Sequence, residues 1–117
     1  MASIRELVQV LRQRDGVDAV IVVGRDGLVI DGASETTYDA DALAVLVSPM
    51  TTAAMDLGHQ ARAGALGILV AEYDHGATIT MALSVDAFLF LLVRHGADLG
   101  GLLYELRRHR SHLSALA

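Results

Sequence analysis

The chain has 117 residues, 53% of them hydrophobic and 20% charged, a balance that fills the core of one domain and argues against disorder. Cysteine, lysine, asparagine and tryptophan are absent, which excludes disulfides, thiolate nucleophiles, cysteine metal centres, a Walker lysine and lysine Schiff bases. Fourteen acids against nine arginines leave a formal net charge of -5, the wrong sign for nonspecific binding to nucleic acid or anionic lipid.

Ser3 precedes Ile4, Leu7, Val8 and Leu11, spaced by three and four, and Glu6 completes a capping-box pattern, so a short amphipathic first helix is expected. The same stretch lacks the basic region, apolar block and cleavage site of a signal peptide, and a cytoplasmic protein is expected. Residues 17–23 and 28–30 are β-branched runs on either side of Arg25-Asp26-Gly27, a strong hairpin signal. Over 39–63 the apolar positions Leu43, Val47, Met50, Ala54, Leu57 and Ala61 step by three and four, which predicts one long helix stopped by Gly64. Pro49 lies inside it, removes the bond to the Val45 carbonyl, and predicts a bend or a division there.

Residues 66–73 read as a third strand, turned at Asp74-His75-Gly76 into a fourth, 77–83, where Thr78 and Thr80 alternate with apolar neighbours. An apolar fifth strand, 87–93, follows. It is the longest unbroken apolar run and far shorter than the roughly 20 residues that span a bilayer, so no membrane insertion is expected. Gly96 and Asp98 then introduce a last helix through Leu99, Leu102, Leu103 and Leu106. The order αββαβββα, with no repeat and no linker-like stretch, makes residues 1–117 a single α/β (α+β) domain.

Strands one and five are apolar on both faces and belong in the middle of an antiparallel sheet covered by helices on each side, whereas the short second strand suits an edge. Hairpin connectivity then predicts the order 2-1-5-4-3, with the long helix on one face and the first and last helices on the other. This places the third strand at the opposite edge, although Leu66, Ile68, Leu69, Val70 and Ala71 carry no charge and are apolar on both faces. An exposed edge of that kind aggregates, and pairing with a second copy removes the hazard. A homodimer is therefore expected, with an interface of Leu66, Ile68, Leu69, Val70, Ala71 and Tyr73 plus Met50, Ala54 and Leu57 from the long helices over the seam. Ser48, Thr51, Thr52, Ala53, Ala54 and Gly58 are small enough to let two helices approach closely, or to fit one helix to the sheet.

Two stretches resemble a known family. VVGRDGLVIDG, residues 22–32, looks like the first hairpin of the Roadblock/dynein light chain domain, and GADLGGLLYELRR, residues 96–108, looks like its entry into the final helix. Element order and length are similar over nearly the whole chain, while Pro49 is not demanded by the family pattern. The resemblance, which includes the bacterial MglB-like regulators, implies a profilin-like architecture without catalytic residues or cofactor. It also implies a dimeric scaffold that offers a platform to a small Ras-like GTPase, or works in a sensor-kinase assembly, and modulates or localises the nucleotide cycle.

Little else in the chain carries chemistry. The glycines of 96–101 open a helix without a lysine or phosphate-loop spacing, and Asp98 is better placed as an N-cap than beside a phosphate. His109 and His112 are three apart but have no third ligand nearby, and no metal site is expected. His59, His75 and His95 lie in separate elements, and Ser34, Ser48 and Ser84 have no nucleophile-elbow context, so no catalytic residue is assigned. Charge is more telling. Arg5, Arg12, Arg14, Arg107, Arg108 and Arg110 should gather on the face of the first and last helices, opposite the acids of the long helix. The long-helix side, with Asp39, Asp41, Asp56, His59, Gln60 and Arg62, is the expected partner-binding surface. A rival reading is a PAS-like or profilin-like sensory module enclosing a small ligand between sheet and helix, with only five aromatic residues to line a pocket.

Overall fold

The computed structural model describes residues 3–34 and 37–115. Helix α1 (Ile4–Arg12) starts where Ser3 Oγ accepts the Glu6 amide at 3.2 Å, which satisfies one of the free first-turn donors. Strands β1 (Val17–Gly24) and β2 (Val29–Ser34) form the first hairpin. Its turn needs Gly27 at φ +86°, a conformation glycine adopts without steric cost, and Asp26 Oδ1 holds the Leu28 amide at 3.1 Å. Helix α2 (Ala40–Gln60), strands β3 (Ile68–Tyr73), β4 (Gly76–Ala82) and β5 (Ala87–Arg94), helix α3 (Leu99–Arg108) and a short α4 (Arg110–Ser114) complete the chain. All pairings are antiparallel and the sheet order is β2-β1-β5-β4-β3, as the hairpin argument requires.

Alternation along the strands builds two cores. On one face Val20, Val22, Ile79, Met81, Leu89 and Leu91 pack against Val8 and Leu11 of α1, Leu102 and Leu106 of α3, and Leu113 of α4. On the other, Ile21, Val23 and Phe90 pack against Ala44 and Val47 of α2. The first face has fifteen buried cluster members and the second five. The α2 side is thus thinly covered. The turn after α1 is joined to α3 by an ion pair between Arg14 and Glu105, and that hydrogen bond holds the Glu105 carboxyl below the ordinary 4.5. Asp98 caps α3, with Oδ1 accepting the Gly101 amide at 3.0 Å.

Several boundaries depart from the sequence reading. Strand β2 runs on to Ser34 instead of closing at Asp31-Gly32, because Gly32, Ala33 and Ser34 continue the pairing with Ile21, Val20 and Ala19 of β1; the Asp31 carboxylate accepts the Gly32 amide (2.8 Å) within the strand. Pro49 does not divide α2, which is one helix across it; Pro49 and Val45 both lie on the solvent side, where water can solvate the released carbonyl. The helix stops at Gln60, before Gly64, with Ala61 as its C-cap. Leu66 lies ahead of β3 in the connector, not in the strand, and Leu83 lies beyond β4. The last helix breaks at His109, so His109 and His112 do not share one uninterrupted helix.

Candidate functional site

Helix α2 has too many apolar residues for its buried face. Ala44, Val47, Ser48 and Thr51 form the row against the sheet. Thr51 Oγ1 donates to the Val47 carbonyl (2.7 Å) and Ser48 Oγ to the Arg25 carbonyl of the hairpin turn. These small residues fit α2 to its own sheet rather than to a second helix. Gly58 serves its own loop as well, since a Cβ there would meet the Gly64 carbonyl oxygen at 2.8 Å. Of the stepped apolar positions Val47 belongs to the row against the sheet, and the larger side chains form a stripe to its side: Leu43 and Met50 are half-buried, while Leu57 and the neighbouring Leu46 are 69% and 68% exposed. This stripe flanks the uncovered side of the sheet, where Leu43, Leu46, Met50, Tyr73, Thr78 and Phe90 border a hollow of about 120 Å³. That space is below the roughly 300 Å³ at which ligand pockets begin.

Strand β3 carries the flank to the sheet edge. Ile68 joins the α1/α3 core and Val70 pairs with Ile79 on that side. Leu69, Ala71 and Tyr73 project on the α2 side, paired with Thr80, Thr78 and Gly76. Leu69, Val70 and Ala71 are half-buried and Tyr73 is 61% exposed. Of the nominated interface residues, the structure therefore brings Met50, Leu57, Leu69, Ala71 and Tyr73 to one side, with Ala54 half-buried between them. Ile68 and Val70 belong chiefly to the protomer's own core. The two sheet edges differ: β2 blunts itself with Asp31, whereas the four residues 68–71 of β3 carry no charge. Beneath this flank Thr80, fully buried on the same face, has a hydroxyl with no hydrogen-bond partner.

The residues nominated for partner binding lie along the upper side and ends of α2. Asp39 is the N-cap, its Oδ1 accepting the amides of Asp41 (3.1 Å) and Ala42 (3.2 Å), so part of its role is structural. Asp41, Asp56, His59 and Gln60 are exposed. Arg62 follows the helix in the left-handed region, φ 57°. Its amide donates to the His59 carbonyl (3.1 Å) and that of Ala63 to the Gly58 carbonyl (2.8 Å), a Schellman closure with arginine where glycine is usual. Helices α1, α3 and α4, which carry Arg5, Arg12, Arg107, Arg108 and Arg110, cover the opposite face, but Arg110 reaches round to the Leu66 carbonyl beside α2.

By length and composition α2 alone would suffice to cross a bilayer, which a search for unbroken apolar runs does not detect; its alanines and its sideways stripe raise its hydropathy. Among the described residues no three potential metal ligands gather in one place.

A sequence model of the Roadblock/LC7 domain matches residues 3–93. No curated protein matches significantly in sequence. Solved structures do: a Roadblock/LC7 domain from Streptomyces avermitilis (22% identity, 96% of this chain, 95% of that one, TM-score 0.82) and MglB of Myxococcus xanthus (15%, 96% and 85%, TM-score 0.85). A further one, described as MglB with tetrameric arrangement, shares 19% identity over 96% of this chain and 85% of that one, with a TM-score of 0.81. These likenesses establish the fold, and they agree with the element order, the strand order and the two helical layers derived above. The chain belongs to the Roadblock/LC7 domain family.

Proposed function

We propose that this protein is a noncatalytic, homodimeric scaffold of the cytoplasm that docks a small Ras-like GTPase and modulates or localises its nucleotide cycle. The observation that carries the reading is the apolar flank formed by Leu46, Met50 and Leu57 of α2, beside the uncharged residues 68–71 of the edge strand β3. Pairing β3 with its counterpart in a second copy extends the sheet and covers both at once. The relative described as tetrameric supports assembly as a property this fold accommodates. In such a dimer the exposed Asp41, Asp56, His59 and Gln60 stay on the outer side of α2 and form an acidic deck across both protomers. Interfaces of that sort set orientation and association rate through complementary charge.

The test is a titration of the chain with a Ras-like GTPase of the same organism, followed by nucleotide release and hydrolysis. Asp41→Arg with Asp56→Arg should weaken association about tenfold or more while the dimer persists. Unchanged affinity would remove the acidic deck from the reading. Asp39 is left intact because its loss would also uncap the helix.

A further inference from the structure

The opposite flank of α2 holds a different feature. Met55 and His59, one turn apart, stand across the buried row of Ala44, Val47 and Thr51 from Met50 and Leu57. Together with Leu66 from the connector, Leu83 and Val85 from the β4–β5 turn, and Arg110 at the start of α4, they line a half-open cleft of about 350 Å³. Its walls are otherwise completed by Ala65, Ala82 and Ser84. The volume is within the range of small-molecule sites, and a mostly apolar wall with few polar groups is the composition such sites have.

Arg110 is the one charged residue among the lining side chains. Arg110 is not loosely placed: Nη2 donates to the Leu66 carbonyl at 3.0 Å, and its guanidinium fills the space a side chain at Gly67 would take, Nη1 lying 3.1 Å from where that Cβ would be. A guanidinium carries five N–H groups, so most of its donors remain for a ligand. The His59 ring adds a further nitrogen donor at the rim. No carboxylate lines the cleft.

We propose that this cleft binds a small amphipathic monocarboxylate, its apolar body against Met55, Leu66, Leu83 and Val85 and its carboxylate on Arg110. A single carboxylate matches the planar donor fork of one guanidinium. A phosphate would bring additional charge against apolar walls with one arginine to balance it. The site does not depend on the GTPase reading, but it shares His59 with the nominated partner-binding residues and Leu66 with the nominated dimer interface.

The experiment is a titration of the full-length chain with hexanoate and with 1-hexanol, followed by amide NMR shifts. Hexanoate should give saturable shifts at Leu66, Gly67, Ser84 and Val85, and hexanol should bind about tenfold more weakly or worse, as loss of a charge-assisted hydrogen bond demands. Arg110→Gln should cost hexanoate about the same factor and leave hexanol unchanged. Met55→Trp, which fills the cleft and keeps Arg110, should abolish both. Equal binding of the two probes, wild-type affinity in Arg110→Gln, or shifts that do not saturate would overturn the proposal. So would hexanoate binding that appears only in a monomeric variant, since a second copy would then occupy the cleft.

Discussion

Arg62 sits in a conformation that costs a non-glycine residue about 1 kcal/mol or more, yet both hydrogen bonds of the helix closure depend on it. Arg62→Gly should therefore raise stability by roughly 0.5–1 kcal/mol, read as an upward shift in denaturant midpoint at unchanged slope. A lower midpoint would mean that the guanidinium contributes more than its backbone costs. The Arg14–Glu105 pair belongs to the same scale. The hydrogen bond from Arg14 lowers the Glu105 pKa on folding, so its contribution is present above the unfolded value and is lost as pH falls through the folded one. The melting-temperature gap between wild type and Glu105→Gln should accordingly be open at neutral pH and close below about 4.5. The gap should also shrink with salt, because both side chains are partly exposed. A gap that widens in acid would contradict the assignment. Neither feature was legible in the sequence: Gly64 looked like the helix stop, and the partner of Arg14 is ninety-one positions away.

Elements were more legible than residues because each hairpin carries its own local signal. Asp26-Gly27 and Asp74-His75-Gly76 mark the two turns, and the doubly apolar β1 and β5 had to be central, which leaves a single strand order. The stepped apolar positions of α2 divide: Val47 packs on the sheet, while Leu43, Met50 and Leu57 lie to its side. Alanine, threonine and serine make the neighbouring row apolar enough and small enough to pack closer to the sheet. Close approach favoured Ala44, Val47, Ser48 and Thr51, and the larger side chains were displaced to the flank. Leu46→Glu with Leu57→Glu tests this directly. Both sites are exposed in the protomer, so each change should alter its folding stability by about 0.5 kcal/mol or less. Self-association should weaken at least tenfold, because central apolar contacts dominate interfaces. A large loss of protomer stability, checked by circular dichroism at high dilution, would place these side chains in the core after all.

At the scale of the whole molecule, one face is closed by α1, α3 and α4 and carries most of the arginines, while the other is half open and acidic on its outer side. In the proposed dimer two copies cover each other's bare flank and leave the acidic deck outward, so that a chain of this size retains a long apolar helix without exposing all of it. The same arrangement gives α2 three surfaces, with the sheet below, the proposed second copy on one side, and the cleft beside Arg110 on the other. The cleft was not legible in the sequence, since Met55, Leu83 and Arg110 converge only through the tertiary fold.

If β3 and the stripe of α2 form one self-complementary surface, light scattering on the purified chain across a dilution series will read it. The wild type should show twice the 12.4 kDa chain mass, and Leu46→Glu with Leu57→Glu should shift it toward the single-chain mass. A folded wild-type chain at its single mass throughout, or a dimer indifferent to both substitutions, would contradict such a surface.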